Sequence, residues 1–340
     1  MDVLCRRGQR RVACLASALP NGPPEQLTFG TSQEHGLAVE PDGRSVITSL
    51  GATQSTVWYH DRDGDRPLSV EGYAYRPLVS PEGTRVFYLV RREAKHRAWV
   101  GELWSVDLVS GRNEIVLPDF LIRSYHVSRD GKSVIFEAFD GAERSRIWIA
   151  TTDRSGAPRE LTTDRDVEER PFFGASGDIY FMREESKDLR FLYRMKPDGS
   201  GRQKLSDPVT FLVNMSPDEQ WAVVWDVNET RLVATAGRQS WGLCTTCSIG
   251  PIFPDSPGVS WSRDGKTMFV NLGSAGGTVL IPWRGADTVP AGAALSPTDL
   301  VKLPGARRVP ESSIAPGPNT ERYAFTRQAE QSNLFRITLP

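Results

Sequence analysis

A short pattern of apolar and polar residues recurs along the chain. In each copy an apolar residue leads into a Pro-Asp-Gly-type turn, and a strand of alternating or wholly apolar residues follows. The clearest copies are VEPDGRSVITSL (Val39 to Leu50), VSPEGTRVFYLV (Val79 to Val90), VSRDGKSVIFEA (Val127 to Ala138) and WSRDGKTMFVNL (Trp261 to Leu272). Glycine tolerates positive φ in such turns, and aspartate accepts hydrogen bonds from its own backbone. Each copy therefore predicts a β-hairpin.

Weaker copies extend the pattern to seven units. The turn glycine, or the residue in its place, marks each unit: Gly43, Gly83, Gly131, Gly177, Glu219, Gly265 and Thr320. Within a unit the hairpin is followed by a third strand with an aromatic residue, such as RIWIATT (Arg146 to Thr152), and by a short fourth strand, such as RELTT (Arg159 to Thr163). Four antiparallel strands in every ~40–50 residues predict an all-β protein, a seven-bladed β-propeller.

These turns, followed by the "LT" of the fourth strand, resemble the WD40-like (PD40) repeats of TolB-type β-propellers. The resemblance covers nearly all of residues 25–340 and implies the propeller fold. It does not imply one function, because one fold can carry many unrelated sites. The C-terminal third, which ends in RYAFTR and NLFRITLP, resembles propellers of bacterial serine/threonine kinase-associated sensor proteins.

The ends of the chain predict how the ring closes. The seventh unit stops after its third strand (Asn333 to Leu339), while Glu25 to Gly30 has the sequence of a fourth strand. We therefore expect one propeller over residues 25–340, closed by residues 25–30, after an extension over residues 1–24. This extension reads as the remnant of a longer chain; a signal peptide is the alternative. The connection from Trp283 to Asp299, rich in glycine, proline and alanine, predicts a mobile insertion.

Composition narrows the class of protein. The 41 Lys and Arg residues balance 42 Asp and Glu residues, so no global positive field favours nucleic acid. No run approaches the ~18 apolar residues of a membrane span. We expect a monomer that binds a protein or peptide partner, in the cytoplasm or the periplasm, as part of a larger bacterial sensory or envelope system.

Cysteine and histidine suggest little catalytic chemistry. Cys244-Thr-Thr-Cys247 has the spacing of metal ligands, but the sequence offers no complete set of four zinc ligands around it. The open alternatives are a local disulfide in an oxidising compartment and two free thiols. Histidines stop at His126, and no G-x-S-x-G motif occurs. We expect neither a metal nor another cofactor.

The remaining candidates lie where inner strands begin, at the mouth of the central channel. They are His35, Arg76, Arg123, Tyr125, His126, Glu169 and Arg170. Arginines in three consecutive units could hold a carboxylate through two parallel hydrogen bonds. The alternative is a rim in which Asp166, Glu168 and Glu169 neutralise the arginines.

Two functions follow from these observations. The first is a non-enzymatic recognition or scaffold module that binds a protein, a peptide or a small ligand at the propeller face or channel. The second is a propeller-type lyase or glycan-acting enzyme with its site in the channel. A convergent set of titratable or metal-binding groups would distinguish the enzyme, and the sequence displays no such set after His126.

Overall fold

A computed structural model describes most of the chain. The described residues are 2–7, 12–17, 25–26, 33–42, 44–69, 72–91, 100–139, 144–162, 167–186, 189–209, 211–226, 229–236, 239–245, 247, 258–285, 287–290, 294–312 and 314–338. Their strands form seven antiparallel sheets, five of which contain four strands each. The protein is all-β, as the sequence predicts.

The N-terminal strands enter two sheets. A three-stranded sheet contains β1 (Asp2–Arg7), β2 (Val12–Ser17) and β3 (Glu25–Gln26). The next three strands are β4 (Gln33–Val39), β5 (Ser45–Asp61) and β6 (Gly64–Pro67). Both β4 and β6 pair with β5, at opposite ends of its length.

Five consecutive sheets follow, each built from four strands. The first contains β7 (Tyr73–Val79), β8 (Arg85–Arg91), β9 (Glu102–Asp107) and β10 (Asn113–Ile115). The second contains β11 (Ile122–Val127), β12 (Ser133–Phe139), β13 (Ser145–Thr151) and β14 (Arg159–Glu160). The third contains β15 (Val167–Phe173), β16 (Ile179–Ser186), β17 (Leu189–Met195) and β18 (Gln203–Lys204).

The fourth of these sheets contains β19 (Phe211–Met215), β20 (Trp221–Asp226), β21 (Glu229–Ala234) and β22 (Ser240–Thr245). The fifth contains β23 (Val259–Trp261), β24 (Thr267–Asn271), β25 (Thr278–Pro282) and β26 (Arg307–Val309). The chain then forms β27 (Ala315–Pro316) and the long β28 (Tyr323–Thr338). Apolar residues of the central strands, such as Phe136 and Phe181, are fully buried between neighbouring sheets.

The last sheet combines both ends of the chain. Strands β27 and β28 come from the C-terminus and β4, β5 and β6 from the N-terminal region. Strand β28 pairs with β5 along its whole length, from Tyr323 opposite His60 to Thr338 opposite Ser45. Six sheets thus present an inner strand to a common centre, namely β7, β11, β15, β19, β23 and β27.

The prediction that residues 25–30 pair with the C-terminal strand is therefore wrong. The described part of residues 25–30, β3, pairs with β2 rather than with the C-terminal strand. Residues 333–338 pair with the first half of β5 instead. Strand β5 offers a longer uninterrupted row of backbone partners than a two-residue strand can, and an unpaired strand edge is unfavourable. The division into residues 1–24 and 25–340 stays a prediction.

The hairpin turns form as their sequence predicts. In the turn after β11, Asp130 Oδ1 accepts hydrogen bonds from Ser128 Oγ (2.6 Å) and from the Lys132 N–H group (3.1 Å), and Gly131 has φ 73°. The same bonds recur around Asp264. In one of the two units that lack the glycine, Glu219 itself takes φ 57°. Its carboxylate accepts a hydrogen bond from Ser176 Oγ (3.0 Å) of the neighbouring sheet. A glycine could not form this bond, which explains why glutamate replaces it here.

The connection after β25 is packed on its sheet, against the expected mobile insertion. It contains the short helix α1 (Pro297–Leu300), whose N-cap Ser296 accepts from the Asp299 N–H group. Leu300 and Val289 are buried in the apolar core that β20 to β25 share. A single 3-10 turn, Gly273–Ala275, lies between β24 and β25. No helix among the described residues is long and apolar enough to cross a membrane.

Candidate functional site

A cavity of about 510 Å³ lies where the six inner strands meet. Its lining consists of one short segment from each of the six sheets: 76–81, 124–127 with 129, 170–175, 214–217, 260–265 and 315–317. Each segment includes residues of an inner strand and runs toward the hairpin turn that follows it. This volume falls within the range of small-molecule sites.

Bulges in the middle of β7 and β15 position two arginine side chains. The pairing register shifts between Tyr75 and Leu78 in β7 and between Glu169 and Phe172 in β15. The bulged residues Arg76 and Arg170 both have φ 55° and both precede a proline. A bulge bends the strand and reorients a side chain, and left-handed backbone is uncommon for residues other than glycine. Both arginines line the cavity.

Arg123, at the bulge of β11, is neutralised within the protein. Its Nη1 lies 3.0 Å from Glu137 Oε1 and 3.2 Å from Glu169 Oε2. Ser124 Oγ and Ser145 Oγ donate to the Glu137 carboxylate at 2.8 Å, as does the Arg170 N–H group at 3.0 Å. Burial would raise the pKa of Glu137, but the Arg123 charge and these hydrogen bonds outweigh it and hold that pKa below its ordinary value. Glu137 is therefore an ionised, fully bonded carboxylate.

Arg76 and Arg170 differ from Arg123. Arg76 donates from Nη1 to the carbonyl oxygen of Arg123 (2.8 Å), and the Arg170 guanidinium lies 5.2 Å from the centre of the Phe211 ring. Burial, and then the nearby charge of Arg76, lower the pKa of Arg170 to about 10, so it stays protonated near neutral pH. Neither guanidinium forms an ion pair with a carboxylate within the described chain.

Tyr125 and His126 reach the same cavity from β11. Tyr125 Oη donates to the carbonyl oxygen of Arg76 (2.6 Å), and burial raises its pKa well above the ordinary value. His126 Nδ1 accepts from the Phe173 N–H group (3.2 Å), and burial lowers the pKa of His126 to about 4. His126 is therefore neutral near pH 7, with its proton on Nε2, which is the donor left for a ligand.

Arg123 is not part of the cavity lining, and two more of the predicted residues also take other places. Glu169 is buried and lies 3.0 Å from Arg190 Nε as well as near Arg123, outside the cavity lining. His35 lies on β4 opposite Ser49, and its side chain lies outside the described part of the structure. Of the predicted neutralising residues, Glu168 pairs with Arg202 and Arg183 rather than with the three arginines, and Asp166 lies outside the described residues.

Sequence reasoning missed the residues of the opposite, turn end of the cavity. Arg129 and Arg263 line it there, together with Asp264. Both arginines precede the turn aspartate in Ser-Arg-Asp-Gly-Lys, so their recurrence was a usable signal. The apolar lining residues Phe172 and Trp261 gave no comparable signal, because aromatic residues in strands are ordinarily core.

Cys244 and Cys247 form a disulfide at the end of β22. Both residues are buried within the apolar core that β20 to β25 share, and neither lines the cavity. Among the described residues, no group of three or more histidine, cysteine, aspartate or glutamate side chains has the arrangement of a metal site.

Comparison with known proteins supports the fold. No protein-family model matches the chain, and no curated protein matches it in sequence. TolB from Acinetobacter baumannii superposes with a TM-score of 0.51 at 14% identity, over 76% of this chain and 63% of that chain. A putative TolB from Agrobacterium tumefaciens superposes with a TM-score of 0.54 at 13% identity, over 82% of this chain and 99% of that chain. The chain has a TolB-like propeller fold; its resemblance to kinase-associated sensors stays a prediction.

Proposed function

We propose that the protein is a recognition module that binds a protein segment, a peptide or a small ligand in the central cavity. The observation that carries the proposal is the convergence of six inner strands on one cavity of about 510 Å³. The lining combines apolar surfaces, such as Phe172 and Trp261, with a few charged groups. Ligand sites commonly have this mixture, in which apolar walls provide affinity and polar groups fix orientation.

The scaffold suits recognition because it holds the lining rigidly. Each lining segment belongs to an antiparallel sheet whose central strands are buried, and its turn is fixed by hydrogen bonds such as those around Asp130. A preformed site loses less conformational entropy when it binds. A seven-bladed ring, a monomeric state and membership of a larger bacterial sensory or envelope system are further parts of this proposal.

A ligand screen by thermal stabilisation tests this function. A library of short peptides and small metabolites is added to the wild-type protein and to a Ser260→Trp variant, in which a large ring from β23 fills part of the cavity. The matched control is Val109→Trp, at a position on the β9–β10 turn that is 91% exposed. A ligand at about a hundred times its Kd stabilises the folded state by ~2.7 kcal/mol.

We expect ligands that raise the melting temperature of the wild type and the Val109→Trp variant but not that of Ser260→Trp. Stabilising ligands that all act equally on Ser260→Trp would place binding outside the cavity and overturn the proposal. A ligand that the wild type converts to a product would favour the lyase or glycan-acting alternative.

A further inference from the structure

We propose that the ligand of this cavity carries a carboxylate on an apolar body, and that Arg76 and Arg170 bind the carboxylate. The inference rests on the proposed function, because it takes the cavity as the binding site. It goes beyond that function by assigning the class of ligand and by separating two binding arginines from a third, Arg123, that holds the fold.

The charge of the lining favours an anion. Among the described residues that line the cavity, four are arginines and one is an aspartate: Arg76, Arg129, Arg170, Arg263 and Asp264. The carboxylate of Asp264 is occupied by its own turn, since it accepts from Ser262 Oγ (2.6 Å) and the Lys266 N–H group (3.0 Å). A cleft lined by one sign of charge concentrates ligands of the opposite sign.

The hydrogen-bonding capacity of the arginines is unevenly used. Arg123 already has two carboxylates, those of Glu137 and Glu169. Among the described residues, the buried Arg170 Nε has no hydrogen-bond acceptor. Arg76 uses one N–H group, toward the Arg123 carbonyl oxygen. A buried donor without an acceptor requires an explanation, and a ligand carboxylate that accepts from the Nε–Nη edge of the Arg170 guanidinium would provide one.

The backbone of the two arginines supports a role for their side chains. Both residues hold a left-handed conformation, φ 55°, that glycine would hold without strain. The glycines of the hairpin turns, such as Gly131 at φ 73°, show what occupies this conformation where only the turn matters. Both bulges therefore retain an arginine with a strained backbone whose guanidinium forms no direct ion pair among the described residues, although the charge of Glu137 acts on both guanidiniums.

The surroundings specify the rest of the ligand. Leu78, Phe172 and Trp261 are partly buried members of the lining and leave apolar surface facing the cavity. His126 is neutral, its ring is tilted against the Phe172 ring with 5.3 Å between the ring centres, and it adds one N–H donor. An aliphatic or aromatic body next to the carboxylate fits these walls. Both the C-terminal residue of a peptide and a free aromatic acid have this chemistry.

The strained backbone gives a test in which stability and binding change in different directions. The variant Arg76→Gly/Arg170→Gly removes both guanidiniums and relaxes both left-handed residues. The matched control is Arg154→Gly, which relaxes an exposed left-handed arginine (φ 61°) on the β13–β14 turn, outside the cavity. The probes are N-acetylated tripeptides ending in Phe, Trp or Leu, each as free acid and as amide, together with phenylacetate and inorganic phosphate. Binding is measured by calorimetric titration.

We expect at least one free acid to bind the wild type and Arg154→Gly equally, and its amide to bind about tenfold to a hundredfold more weakly. The double glycine variant should lose this binding while its melting temperature stays the same or rises. Preference for peptide acids over phenylacetate would identify a chain end as the source, and the reverse a free acid. If the double glycine variant does not fold, Arg170→Lys serves instead, since it keeps the charge but loses the planar fork, and binding should weaken.

Equal binding of acid and amide, unchanged binding by the folded variants, or binding of phosphate alone would overturn the inference. Failure of every acid to bind the wild type would overturn it as well. The proposed function has a separate test. If a library ligand binds the wild type but not Ser260→Trp, the cavity is a binding site even though the carboxylate inference has failed. If every library ligand binds both proteins equally, the proposed function fails as well.

Discussion

At one end of the cavity, the turn end, hairpin turns place glycine at positive φ; at the other, the bulge end, bulges in the middle of β7 and β15 place Arg76 and Arg170 there. The turn end satisfies its own charges locally, as Asp130 does with Ser128 and Lys132. The bulge end leaves two guanidiniums without a carboxylate among the described residues, although Arg123 between them has two. The same backbone conformation thus serves chain reversal at one end and side-chain presentation at the other.

The largest expected effect is that of replacing Arg123, the arginine that two carboxylates neutralise. Arg123→Ala leaves the buried carboxylate of Glu137 without its ion-pair partner. We expect a loss of about 3 kcal/mol in the free energy of unfolding, at the low end for breaking a buried pair because Arg123 is partly exposed. Urea denaturation measures it. The double variant Arg123→Ala/Glu137→Gln should recover part of the loss; a loss below about 0.5 kcal/mol in the single variant would show that Arg123 is merely solvated.

The second prediction concerns acid stability at His126. The pKa of His126 is about 4 in the folded protein against 6.5 for a free histidine, so the unfolded chain binds the extra proton between these values. Stability from this residue is complete above about pH 6.5 and is lost as the pH falls toward 4. Between pH 7 and pH 5 the loss is at most about 2 kcal/mol, at 1.36 kcal/mol per pKa unit.

His126→Asn is the comparison for this pH effect. The asparagine carbonyl can accept from the Phe173 N–H group as Nδ1 does, but it does not titrate. Unfolding curves of both proteins at pH 7, 6 and 5 should diverge, with the wild type losing more. Parallel pH dependence would mean that His126 is not buried in its neutral form.

The third prediction compares substitutions at left-handed positions. Gly131→Ala places a Cβ atom in a left-handed residue and 2.8 Å from the Glu82 carboxylate, so we expect a loss of about 1–2 kcal/mol. Arg154→Gly should instead be neutral or slightly stabilising, because it relaxes the same kind of strain. Thermal unfolding of the two variants measures the difference. The comparison fails if Gly131→Ala is as stable as the wild type.

The smallest expected effect lies at the turn end. Arg129 and Arg263 are exposed, so Arg129→Ala/Arg263→Ala should change the free energy of unfolding by no more than about 0.5 kcal/mol. If the ligand is anionic, the same variant should bind it a few-fold more weakly and with less dependence on salt concentration. Calorimetric titration at two salt concentrations checks this. A loss of affinity as large as that of the double glycine variant would move the carboxylate site to the turn end.

Much of the fold could be predicted from local sequence. The Ser-x-Asp-Gly turns specify their own hydrogen bonds within six residues, so Asp130 and Asp264 take the roles their neighbours predict. Arg76, Tyr125, His126 and Arg170 were predicted for the channel because strand order places them at the start of inner strands. Glu169 was predicted as one residue that could neutralise the arginines, but its choice of Arg123 was not predictable, since this ion pair joins residues 46 positions apart.

The all-β class, the repeated units and the turns follow from the amino-acid sequence alone, because each depends on contacts between near neighbours. Tertiary structure decided which strands close the last sheet, where β5 and β28 pair along sixteen positions rather than through residues 25–30. It also decided which arginine is neutralised. The cause is the same in both cases, because strand pairing and buried ion pairs depend on partners that the packed sheets bring together. These partners are distant in the chain, so the local sequence does not specify them.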